Sequence, residues 1–470
     1  MSEAAARRTL WSRLAILVLV VGLWLVPVPE GLTPQAWHLF ALFAAAIAAV
    51  VIDALSILVA SLGAAAGAVL TGTIPPAAAY AGFANGTIVL IVVAFLVARA
   101  VVTCGLGHRI GLAVVSVFGR STLGLAYSLF LVDAVIAPAF PSNTARSGVL
   151  YPLAVSLAET AGAKPEDPSR RRVGAFLMYC GIATLCVSSA LWLTAMAANP
   201  LGAEIAKRSG VRIEFGSWLI ASSVPTLVAL LSLPYLLYKL FRPEVTATPE
   251  APAAARASLA ALGPMGRGEW IVTITFAGMV VLWALGGTLK IDPTAVALLG
   301  LAVLLASGAL TAADVAKEGD VLAIYIWFAI LFALSNQLNE LGFMSFLGSR
   351  LATGLAGTSA LAAACLIVVA YVLLHYLFVS QTAHLLALFG VFLEVGVRVG
   401  VPAAPLAFLL LFATNFFSGL TPQASSANLL FAGSGYLTQR EMYRVGALTT
   451  GYCLLVYLVV GIPWLMLVSR

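Results

Sequence analysis

Long apolar stretches recur along the whole chain and limit what it can fold into. A helix needs about 20 mainly apolar residues to cross the hydrocarbon core of a bilayer. The sequence offers such stretches from residue 14 to residue 467, separated by short polar segments. Only 9% of the residues are charged and 62% are hydrophobic. Soluble domains carry roughly 25% charged residues, so the sequence predicts an all-α polytopic membrane protein.

Two short polar runs interrupt the apolar sequence and resemble each other. They are Pro141-Ser142-Asn143-Thr144-Ala145-Arg146 and Val379-Ser380-Gln381-Thr382-Ala383-His384. Polar side chains at membrane depth are costly unless they are satisfied, so such runs indicate function. Each run lies between two short apolar segments. We therefore expect two re-entrant helical hairpins with polar tips, over 121–160 and 357–398, beside about 11 transmembrane helices.

The order of the segments predicts that the chain is duplicated. Three pairs of short matches occur in the same order and at nearly constant spacing: Gly105-Leu106-Gly107 with Glu340-Leu341-Gly342, the first polar run with the second, and Asn199-Pro200-Leu201 with Asn428-Leu429-Leu430. One duplication with small insertions explains this order. An odd number of predicted spans lies between corresponding elements, so the two repeats are expected to be inverted in the membrane.

The hydropathy pattern predicts a domain organisation in five parts. These are N-terminal scaffold spans over 1–80, a first repeat core over 81–241 with the hairpin 121–160 and a broken span over 170–200, a cytoplasmic linker over 242–268, scaffold spans over 269–320, and a second core over 321–470 with the hairpin 357–398, a broken span over 402–430 and a final span. The first broken span is expected to be interrupted near Ser188, Ser189 and Thr194, before Asn199-Pro200.

The net charge of +6 is explained by membrane topology rather than by nucleic-acid binding. In the predicted topology sixteen Lys and Arg residues fall on one side of the membrane and seven on the other. The positive-inside rule then places the N-terminus in the cytoplasm. We expect a multi-pass protein of a bacterial inner membrane with the lipid bilayer, and no nucleic acid, as its surroundings.

The chemistry of the two tips favours the binding of an anion with two carboxylates. A hairpin tip presents a helix N-terminus, whose backbone N–H groups and dipole attract anions. Amide and hydroxyl side chains add hydrogen-bond donors. Two tips that face each other would hold one carboxylate each. The candidate substrate-binding residues are Ser142, Asn143, Thr144, Ser380, Gln381, Thr382, Pro422 and Ser425.

Small and polar residues inside the broken spans are expected to line the same cavity, since unwound backbone is tolerated only there. These residues are Ser188, Ser189, Thr194, Thr421 and Asn428. Helix–helix packing is the alternative explanation for each of them.

Arg146 and His384 follow the two polar cores at matching positions. A charged Arg near the bilayer centre costs roughly 2.5–3.5 kcal/mol on insertion scales, so Arg146 should face a polar cavity or pair with an acid. Asp133 is the candidate acid, and Arg146 could then be only its structural partner. His384 could likewise be an ordinary core residue. In the functional interpretation, both residues supply the positive charge that a coupling cation would otherwise bring.

The sequence contains none of the motifs expected of an ATP-driven pump or of an embedded hydrolase. A Walker A motif, a His-Glu-x-x-His zinc site and a Gly-x-Ser-x-Gly elbow are all absent. The five cysteines show no metal-ligand spacing. We predict a secondary transporter without a cofactor, and not an enzyme.

The polar motifs are similar to those of the divalent anion:sodium symporter (DASS) family. Ser142-Asn143-Thr144 matches the first family signature, and Thr382-Ala383-His384 and Phe431-Ala432-Gly433-Ser434-Gly435-Tyr436 resemble its dicarboxylate exchanger branch, which includes plastid 2-oxoglutarate/malate translocators and bacterial citrate/succinate and tartrate/succinate antiporters. The resemblance implies an eleven-span protomer, a homodimer and an elevator movement. It implies that Asn143, Thr144, Gln381 and Thr382 contact the substrate.

One departure from the family signature bears on coupling. Gln381 stands where the symporters have Asn. We therefore predict a sodium-independent exchanger of di- or tricarboxylates, with a substrate and a counter-substrate. A sodium-coupled symporter of the same fold is the alternative, with its ion near Ser142, Asn143 and Ser188. An ion or oxyanion transporter of a related fold is the third possibility.

Overall fold

The structure, a computed structural model, describes residues 3–469. Its regular elements in this range are helices, apart from one isolated bridge between Ser121 and Ala247. The helices of the first half are α1 (Glu3–Leu25), α2 (Pro34–Val51), α3 (Ile57–Leu70), α4 (Pro76–Tyr80), α5 (Gly86–Thr103), α6 (Leu106–Phe118), α7 (Thr122–Ile136), α8 (Asn143–Thr160), α9 (Gly174–Leu191), α10 (Ala198–Ala206), α11 (Phe215–Phe241) and α12 (Ala251–Leu262).

The second half continues with a similar series of helices. They are α13 (Arg267–Leu289), α14 (Pro293–Ala306), α15 (Ala312–Lys317), α16 (Gly319–Glu340), α17 (Phe343–Thr353), α18 (Ala360–Leu374), α19 (Gln381–Arg398), α20 (Ala403–Phe416), α21 (Ser426–Ala432), α22 (Gln439–Val456) and α23 (Ile462–Val468). Within residues 3–469, nine helical segments are long and apolar enough to cross a membrane. The predicted fold class, an all-α polytopic membrane protein, is confirmed.

Serine caps fix where the hairpin arms begin. Ser142 and Ser380 have extended backbones, and each side chain accepts a hydrogen bond from the backbone N–H three residues later. Such a cap satisfies one of the N–H groups that a helix start leaves unpaired. Because α8 starts at Asn143, the polar run forms its first turn.

The backbone repeats itself between the two hairpins. When Ser142 is matched with Ser380, the arms α7 and α8 begin and end at the positions equivalent to the ends of α18 and α19, and a 3₁₀ turn follows α7 and α18 in both cases. Ser142 (φ −146°, ψ 125°) and Ser380 (φ −141°, ψ 123°) have nearly the same conformation. This agreement supports the predicted duplication.

One sequence match used for the repeat was out of register. Gly105 and Gly342 both have left-handed backbones, with φ of 77° and 82°, directly before α6 and α17. These two glycines are equivalent, whereas the sequence match had paired Gly105 with Glu340. A positive φ favours glycine, so the shared backbone conformation identifies Gly105 and Gly342 as equivalent positions of the two repeats.

The first broken span is interrupted later than predicted. Helix α9 continues through Ser188 and Ser189 to Leu191, and the backbone leaves the helical conformation at Trp192. Both serine side chains bond to neighbouring side chains, so the helix has no need to open there. Thr194 does lie in the interruption, in a short 3₁₀ turn.

The predicted linker over 242–268 contains structure of its own. Its helix α12 packs along α6, and Arg109 of α6 donates to the Gly263 carbonyl at 2.9 Å. Before α12, the Thr246 carbonyl accepts from the Thr122 N–H at 3.1 Å, and the Thr248 N–H donates to the Arg120 carbonyl at 3.0 Å. The segment is thereby tied to the base of the first hairpin.

The chain forms two compact units. The first consists of the residues up to Val92, Leu201–Arg212 and Glu318–Leu410, and it contains the second hairpin. The second consists of Val93–Pro200, Ile213–Lys317 and the residues from Leu411 onward. It contains the first hairpin and the interruptions of both broken spans, built around α9, whose 18 residues are all buried. The five-part organisation proposed from the sequence stays a prediction.

Candidate functional site

The first tip lies in the second unit and places polar groups at the start of α8. Asn143 is 6% exposed, whereas Thr144 is exposed. The Thr144 hydroxyl lies 2.6 Å from the hydroxyl of Ser426, the first residue of α21. The tip thus touches the second broken span just after its interruption. Thr144 and Ser426 together present hydroxyl groups at one surface of this unit.

Directly beneath the tip, a fully buried Arg146 holds a polar cluster together. Its Nη1 donates to Asp133 Oδ1 at 3.1 Å and to Ser188 Oγ at 2.8 Å. Its Nη2 donates to Asn143 Oδ1 at 2.6 Å and also to Ser189 Oγ. The side chains of Arg146 and Asp133 are both 0% exposed. The predicted pairing with Asp133 is present, and the ion pair as a whole carries no net charge.

The carboxylate of Asp133 is satisfied on both oxygens. Its Oδ1 accepts from Arg146, and its Oδ2 accepts from the hydroxyls of Ser188 and of Thr184, the latter at 3.2 Å. A buried ion pair is favourable only when the remaining lone pairs are also bonded. The two hydroxyls of α9 meet this requirement.

The cluster fixes the orientation of Asn143. The Oδ1 atom of Asn143 accepts from Arg146, and the Ser189 hydroxyl lies 2.7 Å from it. Because the amide oxygen accepts from the guanidinium, the NH₂ group of the same amide does not face it. A hydrogen-bond donor at the beginning of α8 is thereby oriented away from the buried guanidinium.

The interruption of the first broken span is bonded to the turn of the first hairpin. Trp192 Nε1 donates to the Ala134 carbonyl, the Thr194 hydroxyl donates to the Pro138 carbonyl, and the Ala197 N–H donates to the Pro141 carbonyl, each at 2.9 Å. These bonds satisfy backbone groups that the hairpin turn leaves without helical partners. Three hydrogen bonds therefore join the interruption to the turn of the hairpin.

Two asparagines close the two interruptions in the same way. Asn199 Nδ2 donates to the carbonyls ten and seven residues before it, those of Ser189 and Trp192. Asn428 Nδ2 likewise donates to the carbonyls ten and seven residues before it, those of Ser418 and Thr421. Asn199 Oδ1 also accepts from Asn415 Nδ2 at 2.9 Å. The predicted match of Asn199 with Asn428 thus corresponds to a shared structural role.

The second interruption is closely packed by α22. A Cβ atom placed on Gly446 would lie 2.5 Å from the Gly419 carbonyl oxygen, so only glycine allows this approach. Thr421 and Ser425 are buried within the interruption, whereas Pro422 is half-buried. In the described residues, Thr421 Oγ1 has no hydrogen-bond partner. It is a hydroxyl at the site with hydrogen-bonding capacity to spare.

The second tip lies in the first unit. Ser380 caps α19, and Gln381 and Thr382 are 5% and 8% exposed. Below them His384 is fully buried, with its Nδ1 3.4 Å from the Nδ1 of His375. The ring of Tyr371 meets the ring of His384 edge-on, with a centroid separation of 4.4 Å.

Comparison with known proteins assigns the chain to a family. The model of the sodium:sulfate symporter transmembrane region matches residues 7–470, nearly the whole chain. The chain belongs to the divalent anion:sodium symporter family. The sequence resemblance to this family is confirmed, and so is the prediction that the protein is a membrane transporter and not an enzyme.

Relatives of this DASS transporter cover almost its full length. YflS of Bacillus subtilis (strain 168), which carries the name of a malate transporter, is 41% identical over 96% of this chain and 95% of its own. The chloroplastic dicarboxylate transporter 2 of Spinacia oleracea is 38% identical over 96% of this chain and 81% of its own. The citrate/succinate antiporter of Escherichia coli (strain K12) is 32% identical over 97% and 98% of the two chains.

A solved structure has the same fold at low identity. The YdaH transporter of Alcanivorax borkumensis superimposes with a TM-score of 0.59 at 16% sequence identity, covering 98% of each chain. This similarity concerns the fold alone.

The site residues of the DASS transporter predicted from its sequence fall into two groups, one in each unit. The first tip and the lining of the two broken spans lie in the second unit, and Ser380, Gln381, Thr382 and His384 lie in the first. Sequence reasoning missed Thr184, Asn415 and the contact of Ser426. Thr184 and Asn415 are single polar residues in apolar helices, a signal that could have indicated them. The binding roles assigned to all these residues stay predictions.

Proposed function

We propose that this transporter exchanges di- or tricarboxylates of the succinate, malate, 2-oxoglutarate, tartrate or citrate class across the membrane. The observation that carries the proposal is the first tip, where Asn143 is oriented by a buried ion pair at the N-terminus of an 18-residue helix. The names of the relatives from Bacillus, Spinacia and Escherichia, a malate transporter, a dicarboxylate transporter and a citrate/succinate antiporter, support the same substrate class.

Each tip is proposed to bind one carboxylate. At the first tip, Ser142, Asn143 and Thr144 supply donors, and the backbone N–H groups of the first turn of α8 add the attraction of the helix dipole. At the second tip, Ser380, Gln381 and Thr382 stand in the same positions of α19. Pro422 and Ser425 keep the role of additional substrate contacts. A monocarboxylate would bind at only one of the two tips.

The residues around the first tip do not fit a sodium ion. Sodium needs several oxygen ligands, and the oxygens of Asn143, Ser188 and Ser189 already accept hydrogen bonds from Arg146. The donor set therefore favours sodium-independent transport over the sodium-coupled alternative.

The role proposed for Arg146 changes with the structure. Its charge is balanced by Asp133 at 3.1 Å, so it acts on the substrate by orienting Asn143 rather than by adding net positive charge. The charge-compensating role predicted for His384 remains part of the proposal. We propose exchange because the positive ends of α8 and α19 are left without an anion when the site is empty, so the site returns across the membrane most readily when it is loaded.

Two further elements of the proposal, an elevator-type alternating-access movement and a homodimer, rest on the family resemblance. The proposed cytoplasmic N-terminus rests on the positive-inside rule, and the proposed location is a bacterial inner membrane. Embedding as a multi-pass membrane protein is established by the fold.

Thermal unfolding of the purified transporter tests the substrate class. Ligand at about 100 times its Kd adds about 2.7 kcal/mol of stability. We expect succinate, malate, 2-oxoglutarate, tartrate or citrate to raise Tm by several degrees in sodium-free buffer, with the monocarboxylate butyrate as the matched control. Stabilisation by sulfate alone, or by dicarboxylates only when sodium is added, would contradict the proposal.

A further inference from the structure

The two hairpins differ at the positions beneath their tips. In the register that matches Ser142 with Ser380, Arg146 corresponds to His384 and Asp133 corresponds to Tyr371. The first hairpin therefore carries a cation with its own carboxylate. The second carries an imidazole with a phenol ring in place of the acid. A positive charge on His384 has no carboxylate at the matching position to balance it.

A second histidine takes part in the second hairpin. His375 corresponds to Ala137 of the first hairpin and is fully buried, like His384. The two Nδ1 atoms are 3.4 Å apart, and Tyr371 and Phe378 place their rings against His384, with centroid distances of 4.4 and 4.8 Å. The two imidazoles are thus in contact through their Nδ1 atoms, and two aromatic rings pack against His384.

This geometry lets the two rings share one added proton and disfavours a second. In the neutral pair, one ring donates its Nδ1–H to the Nδ1 lone pair of the other. A proton added at Nε2 of the donating ring makes that ring an imidazolium, and the shared bond becomes charge-assisted and stronger. A second proton would set two N–H groups and two like charges against each other. The pair therefore changes its charge by one.

Charged groups on α19 itself are distant from the pair. Glu394 and Arg398 bond to each other at 2.8 Å. Glu394 is ten residues beyond His384, which is about 15 Å along a helix. Helix α18, the other arm, contains no charged residue, and its titratable side chains are Cys365 and Tyr371.

Helices α16 and α17 also pack against α19, and their charges are distant too. Ser335 of α16 donates to the Leu386 carbonyl at 3.0 Å, so α16 meets the pair near Ser335. Glu340 lies five residues beyond this point, and Asp320 lies fifteen residues before it. Arg350 of α17 stacks on Phe346, in the region where Gly348 approaches Glu394. Arg208, which follows α10, is the charged group that comes near Ser335: its Nη1 donates to the Asn336 carbonyl at 3.1 Å, and its Nη2 lies 3.9 Å from Glu340 Oε1.

We propose that His375 and His384 form a proton-binding site, which takes up one proton when a dianionic substrate binds at the second tip. The inference rests on the proposed function, because it needs an anion at the N-terminus of α19. Without that anion the positive end of the helix disfavours an imidazolium three residues inside it. The carboxylate reverses this effect, so proton and substrate strengthen each other's binding. The proton taken up then offsets one of the two negative charges of the bound substrate.

Calorimetry of succinate binding in two buffers with different ionisation enthalpies counts the protons taken up. At a pH between about 7 and 8, where succinate is a dianion, we expect uptake approaching one proton per succinate, and tighter binding at the lower pH. His384→Gln and His375→Gln should bind succinate with almost no proton uptake. The matched control is His108→Gln, on an exposed position of α6, which should behave as the unmodified protein.

The possible results separate this inference from the proposed function. If the unmodified protein does not bind succinate or another dicarboxylate, the proposed function fails. Succinate binding without proton uptake, or equal uptake in the two variants and the control, would overturn the inference alone.

Nuclear magnetic resonance of the histidine-labelled, unmodified protein in nanodiscs needs no folding of a variant. The chain has only four histidines, and two of them, His38 and His108, lie outside this hairpin. Addition of succinate should convert the signals of the pair from neutral to singly charged imidazoles. Unchanged imidazole signals at saturating succinate contradict the proton site.

Discussion

Alanine in place of Arg146 is expected to lower the stability of the transporter by about 3–5 kcal/mol, the cost of leaving one member of a buried ion pair without its partner. The carboxylate of Asp133 would remain 0% exposed with only the hydroxyls of Ser188 and Thr184 as donors. Asp133→Ala should cost a similar amount, because it leaves a buried guanidinium. Thermal and denaturant unfolding of the purified variants in detergent measure both effects.

The double variant Asp133→Ala/Arg146→Ala distinguishes an ion pair from two independent contacts. We expect it to be less destabilised than the sum of the single variants by at least about 2 kcal/mol, since no buried charge is left uncompensated. The matched control is Arg398→Ala, whose partner Glu394 is 30% exposed and which should cost less than about 1 kcal/mol. Additive single and double effects would show that the pair does not hold the cluster together.

Aspartate at position 143 is expected to abolish substrate binding while preserving the fold. The new carboxylate keeps the oxygen that accepts from Arg146 at 2.6 Å, so the cluster beneath the tip is retained. It replaces the amide NH₂ donor by a negative charge. Two like charges about 4 Å apart repel by about 4 kcal/mol at an effective dielectric constant near 20. Each 1.4 kcal/mol is a factor of ten, so Kd for succinate should rise by roughly 10³.

Binding calorimetry and thermal unfolding of Asn143→Asp measure the two parts of this prediction separately. The matched control Asn339→Asp makes the same chemical change at an exposed position of α16 and should leave Kd unchanged. If Asn143→Asp binds succinate as the unmodified protein does, Asn143 is not a carboxylate contact and the first tip is not the binding site.

The parts of the fold that the sequence predicted depend on local signals. Serine is a common N-cap, so Ser142 and Ser380 mark the starts of the helices that follow them. The apolar segments on either side of each polar run are short, which favours a re-entrant hairpin. The matching Asn199 and Asn428 were found from the letters alone, and the structure explains them by carbonyls at the same two spacings. Such contacts between near neighbours in the chain are encoded in short stretches of sequence.

The features that were not predicted depend on contacts between distant segments. Ser188 and Ser189 seemed to mark an interruption, because a polar pair in an apolar helix has no local partner. Their partners, Asp133 and Asn143, lie 55 and 46 residues earlier in the chain. The hydrogen bond between Asn199 of α10 and Asn415 of α20 joins residues that are 216 positions apart in the chain. The hydropathy of a segment does not indicate which distant residue its buried polar side chains bond to.

The difference between Arg146 and His384 also required the structure. The sequence placed both after similar polar cores and suggested one shared role. The structure shows that Arg146 bonds to a carboxylate and that His384 contacts a second imidazole. Similar positions in a duplicated chain thus hold an ion pair in one hairpin and two imidazoles in contact in the other.

Uptake of labelled succinate into proteoliposomes tests the central proposal, sodium-independent exchange, most directly. The vesicles contain either unlabelled succinate or no dicarboxylate, and each kind is assayed with and without sodium. We expect rapid uptake only when the vesicles contain a dicarboxylate, at the same rate with and without sodium. Sodium-driven accumulation of succinate in vesicles without internal dicarboxylate would contradict it.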